Sequence, residues 1–392
     1  MKNLLTPFRQ SKTLNTIFLS NILLSFHYYL IVYINSSFLA GYFSDTQISA
    51  LYVVGSVLNI FLLLNAAKIL NTLTNRKTML YAVAVEFIAV LGLCLTQNHF
   101  LIGVYFMTQI AVVSFLSFNM DVFLESATTD ENQTGGIRSM FNTLGNITCV
   151  VAPLIISLFI FGNTYWHIYF LSLLFLIPLF YYVKKYLTQT EEKPVEHIKL
   201  RETAKKYLAD KNLYNIFSAE FLLQFFYAFM VVYTPLYLIK YVGFSWAEIG
   251  VIFTIMLLPF VIFEIPVGDL ADKKYGEKEF LTVGFIIMGI FTMAIGFITV
   301  KNFWLWAAIL FATRIGASFV EITCDTYFFK KVDQGKTDVI GFYRLTRPLS
   351  YVAAPVVMAL VLQFIPFQYT FIVIGAIMII GTKYSMALVD TR

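Results

Sequence analysis

The sequence predicts an all-α membrane protein of twelve transmembrane helices arranged as two six-helix repeat halves. Three observations predict it. Its 392 residues are 59% hydrophobic and only 13% charged, with a mean hydropathy of +0.75, whereas soluble chains carry about 25% charged residues. The apolar residues gather into twelve stretches, each near the ~20 residues that a helix needs to cross about 30 Å of hydrocarbon. The second half of the chain also repeats the first, displaced by about 200 residues. Lipid admits only helices or closed barrels, and strand-length alternation is absent from the sequence.

The first six spans fall near 14–38, 47–70, 78–97, 100–126, 139–162 and 166–187, and the second six near 213–240, 246–268, 279–300, 302–326, 340–364 and 367–388. The halves are therefore 1–187 and 213–392, joined by a linker, 188–212. Lys68, Arg76, Lys77, Arg138, Lys184, Lys185, Lys273, Lys274, Lys278, Lys330, Lys331 and Lys336 collect on one side, and only Lys240 and Lys301 fall clearly on the other. The positive-inside rule then places both termini and the linker in the cytoplasm. The linker reads as solvated and charged; Ile198, Ala204, Leu208 and Leu213 give it a weak apolar face of the kind that lies along a membrane surface. Loop cations account for the net charge of +5, so no nucleic-acid partner is expected. Cys94, Cys149 and Cys324 lie inside apolar stretches without CxxC spacing and read as small buried hydrophobes. The first span is too long for a secretory signal, so none is expected to be cleaved.

Repetition is the strongest signal. Leu23, Leu24, Phe26 and Tyr28 face Leu222, Leu223, Phe225 and Tyr227; Asp121 and Glu125 face Glu321 and Asp325; Ala152-Pro153 returns as Ala354-Pro355. Unrelated hydrophobic helices would not keep acidic pairs in register.

Between the eighth and ninth spans the chain reads FEIPVGDLADKKYGEK, Phe263 to Lys278. Gly268, Leu270, Ala271, Asp272, Lys273, Gly276 and Lys278 resemble the cytoplasmic signature loop of the major facilitator superfamily, with a spacer one residue longer than its commonest form and Glu277 at a position more often basic. The resemblance implies two halves around a central cavity lined by the first, fourth, seventh and tenth helices, which rock to expose a site alternately to each side. It also implies an inner gate, in which the loop's aspartate and cations engage acids at helix ends. In the second half Glu264, Gly268, Asp272, Lys273, Gly276, Glu321, Asp325 and Arg344 are its members. In the first half Lys68, Thr72 and Asn75 replace Gly268, Asp272 and Gly276, which leaves Arg76 and Lys77 to reach Asp121 or Glu125.

Charges that break the repeat point to coupling and substrate. Glu220 faces Asn21, Arg314 faces Ser114, and His27 faces Phe226. Glu220, Gln224 and Tyr227 share a face of the seventh helix; Arg314, Ser318, Glu321 and Asp325 share one of the tenth. Asn21 and Tyr28 on the first helix, with Asn142 and Asn146 on the fifth, complete a polar lining. His27 stands a third of a turn from that face of the first helix, so a packed neutral imidazole competes with a proton carrier. Glu86 has no partner legible in the sequence. Counting 1.5 Å per residue, Glu220 lies about 10 Å and Arg314 about 12 Å from the cytoplasmic boundary, so the two are expected to pair.

These observations predict a secondary transporter moving a small solute across the bilayer by alternating access, proton-coupled, working as a monomer in a prokaryotic inner membrane. No Walker A sequence, nucleotide domain or metal-ligand cluster is present, so ATP, cofactor and metal are not expected. The alternatives are a passive uniporter, a transporter-like sensor without flux, and a membrane enzyme; the last would need a nucleophile–base pair or metal triad that the sequence does not contain.

Overall fold

The computed structural model describes residues 12–127, 131–160, 164–187, 200–271, 276–331 and 337–389. In the first half the helices are α1 (Lys12–Val32), α2 (Asn35–Leu39), α3 (Asp45–Leu64), α4 (Ala66–Leu73), α5 (Asn75–Leu95), α6 (His99–Ala127), α7 (Glu131–Phe159) and α8 (Trp166–Tyr186). Then follow α9 (Leu200–Ala209), α10 (Lys211–Tyr237), α11 (Trp246–Ile262), α12 (Glu264–Leu270), α13 (Glu277–Ile295), α14 (Phe303–Lys331), α15 (Thr337–Arg344), α16 (Thr346–Val361) and α17 (Phe367–Met386). Among the described residues 11 helices are long and apolar enough to cross a membrane. The span expected over 340–364 is divided instead into α15 and α16, with a turn at Leu345 whose amide bonds back only three residues, to Phe342. Pro348 is the reason: it offers no amide to the preceding turn and its ring crowds the carbonyl of Arg344. The first-half counterpart, α7, has no proline there and runs unbroken for 29 residues.

The order of the long helices repeats between the halves, α9 and the divided α15 and α16 apart. The repeat extends to the start of the second span in each half. Ser44 accepts from the amide of Gln47 at 3.4 Å, while Gln47 Oε1 accepts from the amide of Ser44 at 2.9 Å. Ser245 and Glu248 make the same reciprocal capping box, at 3.3 and 2.8 Å. Each satisfies two amides that helix geometry leaves open.

Two compact units result. One comprises 1–38 and 54–197, the other 39–53 and 198–392. Residues 39–53, from the first half of the sequence, thus belong with the second unit. Lys240 Nζ lies 2.8 Å from Asp45 Oδ1, and the Ser49 and Tyr233 hydroxyls are 2.7 Å apart. Inside the second unit α13 packs on α14 and α17 through bare backbone. A Cβ on Gly316 would stand 2.6 Å from the Gly284 carbonyl oxygen and 2.5 Å from the Met288 nitrogen.

The linker differs from its solvated reading. Its later part is α9, docked by Tyr207, whose hydroxyl donates to the Val339 carbonyl at 2.8 Å and whose ring lies 4.8 Å from Phe342 and 5.3 Å from Phe217. Thr203, one turn earlier, is fully buried. Residues 188–199 lie outside the described residues.

Candidate functional site

The helical spacing of α10 and α14 builds a charged cluster within the second unit. On α10, Glu220, Gln224 and Tyr227 recur at four and three residues and share one face. On α14, Arg314, Ser318, Glu321 and Asp325 do the same. Gln224 Nε2 donates to Glu220 Oε1 at 2.8 Å, and the Tyr227 hydroxyl donates to Glu321 Oε2 at 2.6 Å. Arg314 is buried, its guanidinium carbon 4.9 Å from the centre of the Phe226 ring and 5.9 Å from that of Tyr227. Such stacking suits a guanidinium withdrawn from water. Glu220 is buried within electrostatic reach of Asp325, Glu321 and the Tyr343 hydroxyl. Tyr343 stacks on Phe328 at 3.9 Å, and Ser350 ties α16 to α10 by donating to the Phe221 carbonyl at 3.0 Å.

This arrangement corrects the expected pairing of Glu220 with Arg314 at one depth. Seven residues, about 10 Å, separate Glu220 from Tyr227 on α10, and seven separate Arg314 from Glu321 on the oppositely running α14. The Tyr227–Glu321 bond therefore stands between the two charges. The depth count erred because α10 and α14, at 27 and 29 residues, span about 40 Å and overrun the hydrocarbon. Glu321, expected at the inner gate, instead meets Tyr227, and Asp325 lies within electrostatic reach of Glu220. Tyr343 was missed because its helix is short and its phenol carries no sequence signal.

In the first unit Asn21 is buried and donates to the Phe141 carbonyl at 2.9 Å. Tyr28 is half-buried, edge-on to Tyr29; Asn146 is half-buried and Asn142 exposed. His27 is fully buried, its Nε2 3.0 Å from Oε1 of an equally buried Glu86 and its Nδ1 3.4 Å from the Ser172 carbonyl. Nearby, Asn35 donates to Gln109 Oε1 at 3.3 Å and accepts from the Tyr169 hydroxyl at 2.7 Å. Glu86, partnerless in the sequence, thus has a buried partner in His27.

The gate residues are distributed differently from expectation. Arg76 reaches neither Asp121 nor Glu125: its Nη2 donates to the carbonyl of Lys184 at the end of α8. Asp121 is half-buried; Lys77 and Glu125 are exposed. A Cβ on Gly268 would meet Ile322 of α14 at 3.5 Å, and Arg344 is half-buried at the end of α15. Glu264 opens α12; its side chain, like Asp272 and Lys273, lies outside the described residues. Gly276 precedes α13 at φ 87°, and its structural counterpart before α5 is Thr74 at φ 71°, not Asn75. Glu277, the acid at a position more often basic, is buried and takes Lys330 at 2.5 Å. The exchanged charge has an exchanged partner.

Two helical units with a buried charged cluster define a polytopic membrane protein of the transporter type. The sequence pattern described as "Major Facilitator Superfamily" matches residues 17–250 and 216–390, and the chain belongs to that superfamily: it is a multi-pass membrane transporter, not an enzyme. No curated protein matches it in sequence. Among solved structures it is similar to the nucleoside transporter NupG, at TM-score 0.75 and 12% identity over 96% of this chain and 99% of that one. It is equally similar to a POT family transporter in complex with 5-aminolevulinic acid, at 0.78 and 12% over 94% of each chain, and to one in complex with a thioalcohol-conjugated peptide, at 0.77 and 11% over 94% of each.

Proposed function

We propose that this transporter moves a small solute by alternating access and couples that movement to protons through the cluster on α10 and α14. The observation that carries the proposal is the run of charges along the facing sides of α10 and α14, Arg314 against Tyr227, Tyr227 on Glu321, and Glu220 within electrostatic reach of Glu321 and Asp325, inside a helical unit where isolated charges are costly and functional by default. Carboxylates so grouped bind positive charge, and a proton arriving at Glu220 or an anionic substrate group arriving at Arg314 changes the balance across the Tyr227–Glu321 bond. The inner gate of the second half is assigned to Glu264, Gly268, Asp272, Lys273, Gly276 and Arg344, with Asn21, Tyr28, Asn142 and Asn146 lining the substrate path. Both termini are assigned to the cytoplasm of a prokaryotic cell and the monomer to the working unit. Nucleosides, short peptides and 5-aminolevulinic acid, named for the structurally similar transporters, form the first substrate panel.

The test is flux into proteoliposomes with and without an imposed pH gradient. Glu220→Gln is expected to abolish pH-driven uptake while substrate counterflow continues, because exchange needs no net proton movement. A purely structural Glu220 would lower both, with a loss of thermal stability, and unchanged driven uptake in a folded variant would overturn the assignment. Wild-type uptake indifferent to the gradient would leave passive uniport.

A further inference from the structure

The inner ends of α5 and α8 bring together a set of cations that the transport cycle proposed above does not use. Arg76 and Lys77 open α5, and Lys184 and Lys185 close α8. The hydrogen bond from Arg76 to the Lys184 carbonyl joins the two ends directly, while Arg76 Nε stays buried without a hydrogen-bond partner among the described residues. No carboxylate pairs with any of the four among the described residues. The two lysines at the opposite end of the spans each have one: Lys240 has Asp45 at 2.8 Å, and Lys301 has Glu248 at 3.1 Å. The carbonyls ending α8 offset about half a unit charge, which leaves most of the positive charge on this face unbalanced.

Tyrosines complete the surface. Lys185 Nζ donates to the Tyr181 hydroxyl at 2.7 Å and lies 5.1 and 5.2 Å from the ring centres of Tyr181 and Tyr186. Both tyrosines are nearly half exposed, at 49% and 45%, at the helix end where aromatic side chains meet the headgroup layer. The positive-inside bias and the aromatic belt place cations and tyrosines at the ends of spans one by one; the Arg76 hydrogen bond to the Lys184 carbonyl adds to them a direct link between the cationic ends of two spans. We propose that Arg76, Lys77, Lys184 and Lys185, with Tyr181 and Tyr186, form a binding site for the phosphate headgroup of an anionic phospholipid of the inner leaflet. Cations near an anionic leaflet are attracted to it, and basic pockets between spans are the form such recognition takes.

The experiment uses the purified full-length chain, with lipid retention measured by native mass spectrometry and by thermal shift. The probes are palmitoyl-oleoyl phosphatidylglycerol, the matching phosphatidylcholine, and soluble glycerol 3-phosphate. Phosphatidylglycerol is expected to be retained at least tenfold more strongly than phosphatidylcholine and to resist displacement by glycerol 3-phosphate. Lys184→Gln/Lys185→Gln is expected to lose that preference, whereas Lys205→Gln/Lys206→Gln on α9, which removes the same charge elsewhere, keeps it. Equal retention of the two lipids, equal loss in both double variants, or displacement by glycerol 3-phosphate overturns the proposal. Lys77→Gln, which removes an exposed side chain without a hydrogen bond among the described residues, is expected to weaken retention severalfold without lowering the lipid-free melting point; unaltered retention in that variant also counts against the site.

Discussion

Thr74 shows what a single residue carries in this fold. It stands at φ 71° and ψ 149°, just before α5, in a region that glycine enters freely and a β-branched residue enters only under strain of about 1–3 kcal/mol. Gly276 occupies the same place before α13 at φ 87° and ψ 162°. Thr74→Gly should therefore stabilise the fold by about 1 kcal/mol after the entropy glycine adds to the unfolded chain, read as a higher thermal midpoint in detergent. A variant that melts at or below the parent would show that the turn is held without strain. Sequence comparison of the halves matched Gly276 to Asn75 because it counted residues; φ identifies Thr74 because it follows the backbone. Glu86 teaches the same lesson: an acid that no spacing could partner proves to face His27, 59 positions away.

At the scale of elements, packing follows features that are local in sequence but acquire meaning only in pairs. Ser44 with Gln47 and Ser245 with Glu248 close capping boxes within four residues, a motif local enough to need no tertiary partner, although neither pair was singled out from the sequence. The contact of α13 with α14 was not: Gly284 and Gly316 are ordinary membrane glycines until the two backbones meet. Gly316→Ala should destabilise the second unit by about 1–3 kcal/mol, since the new methyl meets backbone that cannot swing aside. Its melting point in detergent measures this, with Gly243→Ala a poor control because Gly243 has φ 83°. A melting point equal to the parent's would mean that the two backbones move apart at little cost to admit the methyl.

At the scale of the molecule, the repeat makes two units from one pattern, while residues 39–53 join the second unit and α9 fastens the linker to α15. Placing both termini and α9 in the cytoplasm predicts that a cysteine at Lys205 is labelled by a membrane-impermeant maleimide only from the cytoplasmic side, and one at Lys240 only from the outside. Labelling of both from one side would refute the topology.

Composition and spacing along the chain established the membrane class, the order of the apolar segments, the twofold repetition and the superfamily, because hydrocarbon thickness and helix period impose them locally. The division of the segment 340–364 into α15 and α16 was not legible there. The same spacing also placed Glu220, Gln224 and Tyr227 on one face, and Arg314, Glu321 and Asp325 on another. Only the tertiary structure decided which side chains meet across those faces: Tyr227 with Glu321, His27 with Glu86, Arg76 with the end of α8. Those choices depend on the axial offset between neighbouring helices, and side chains several ångströms long turn a small error in that offset into a different partner.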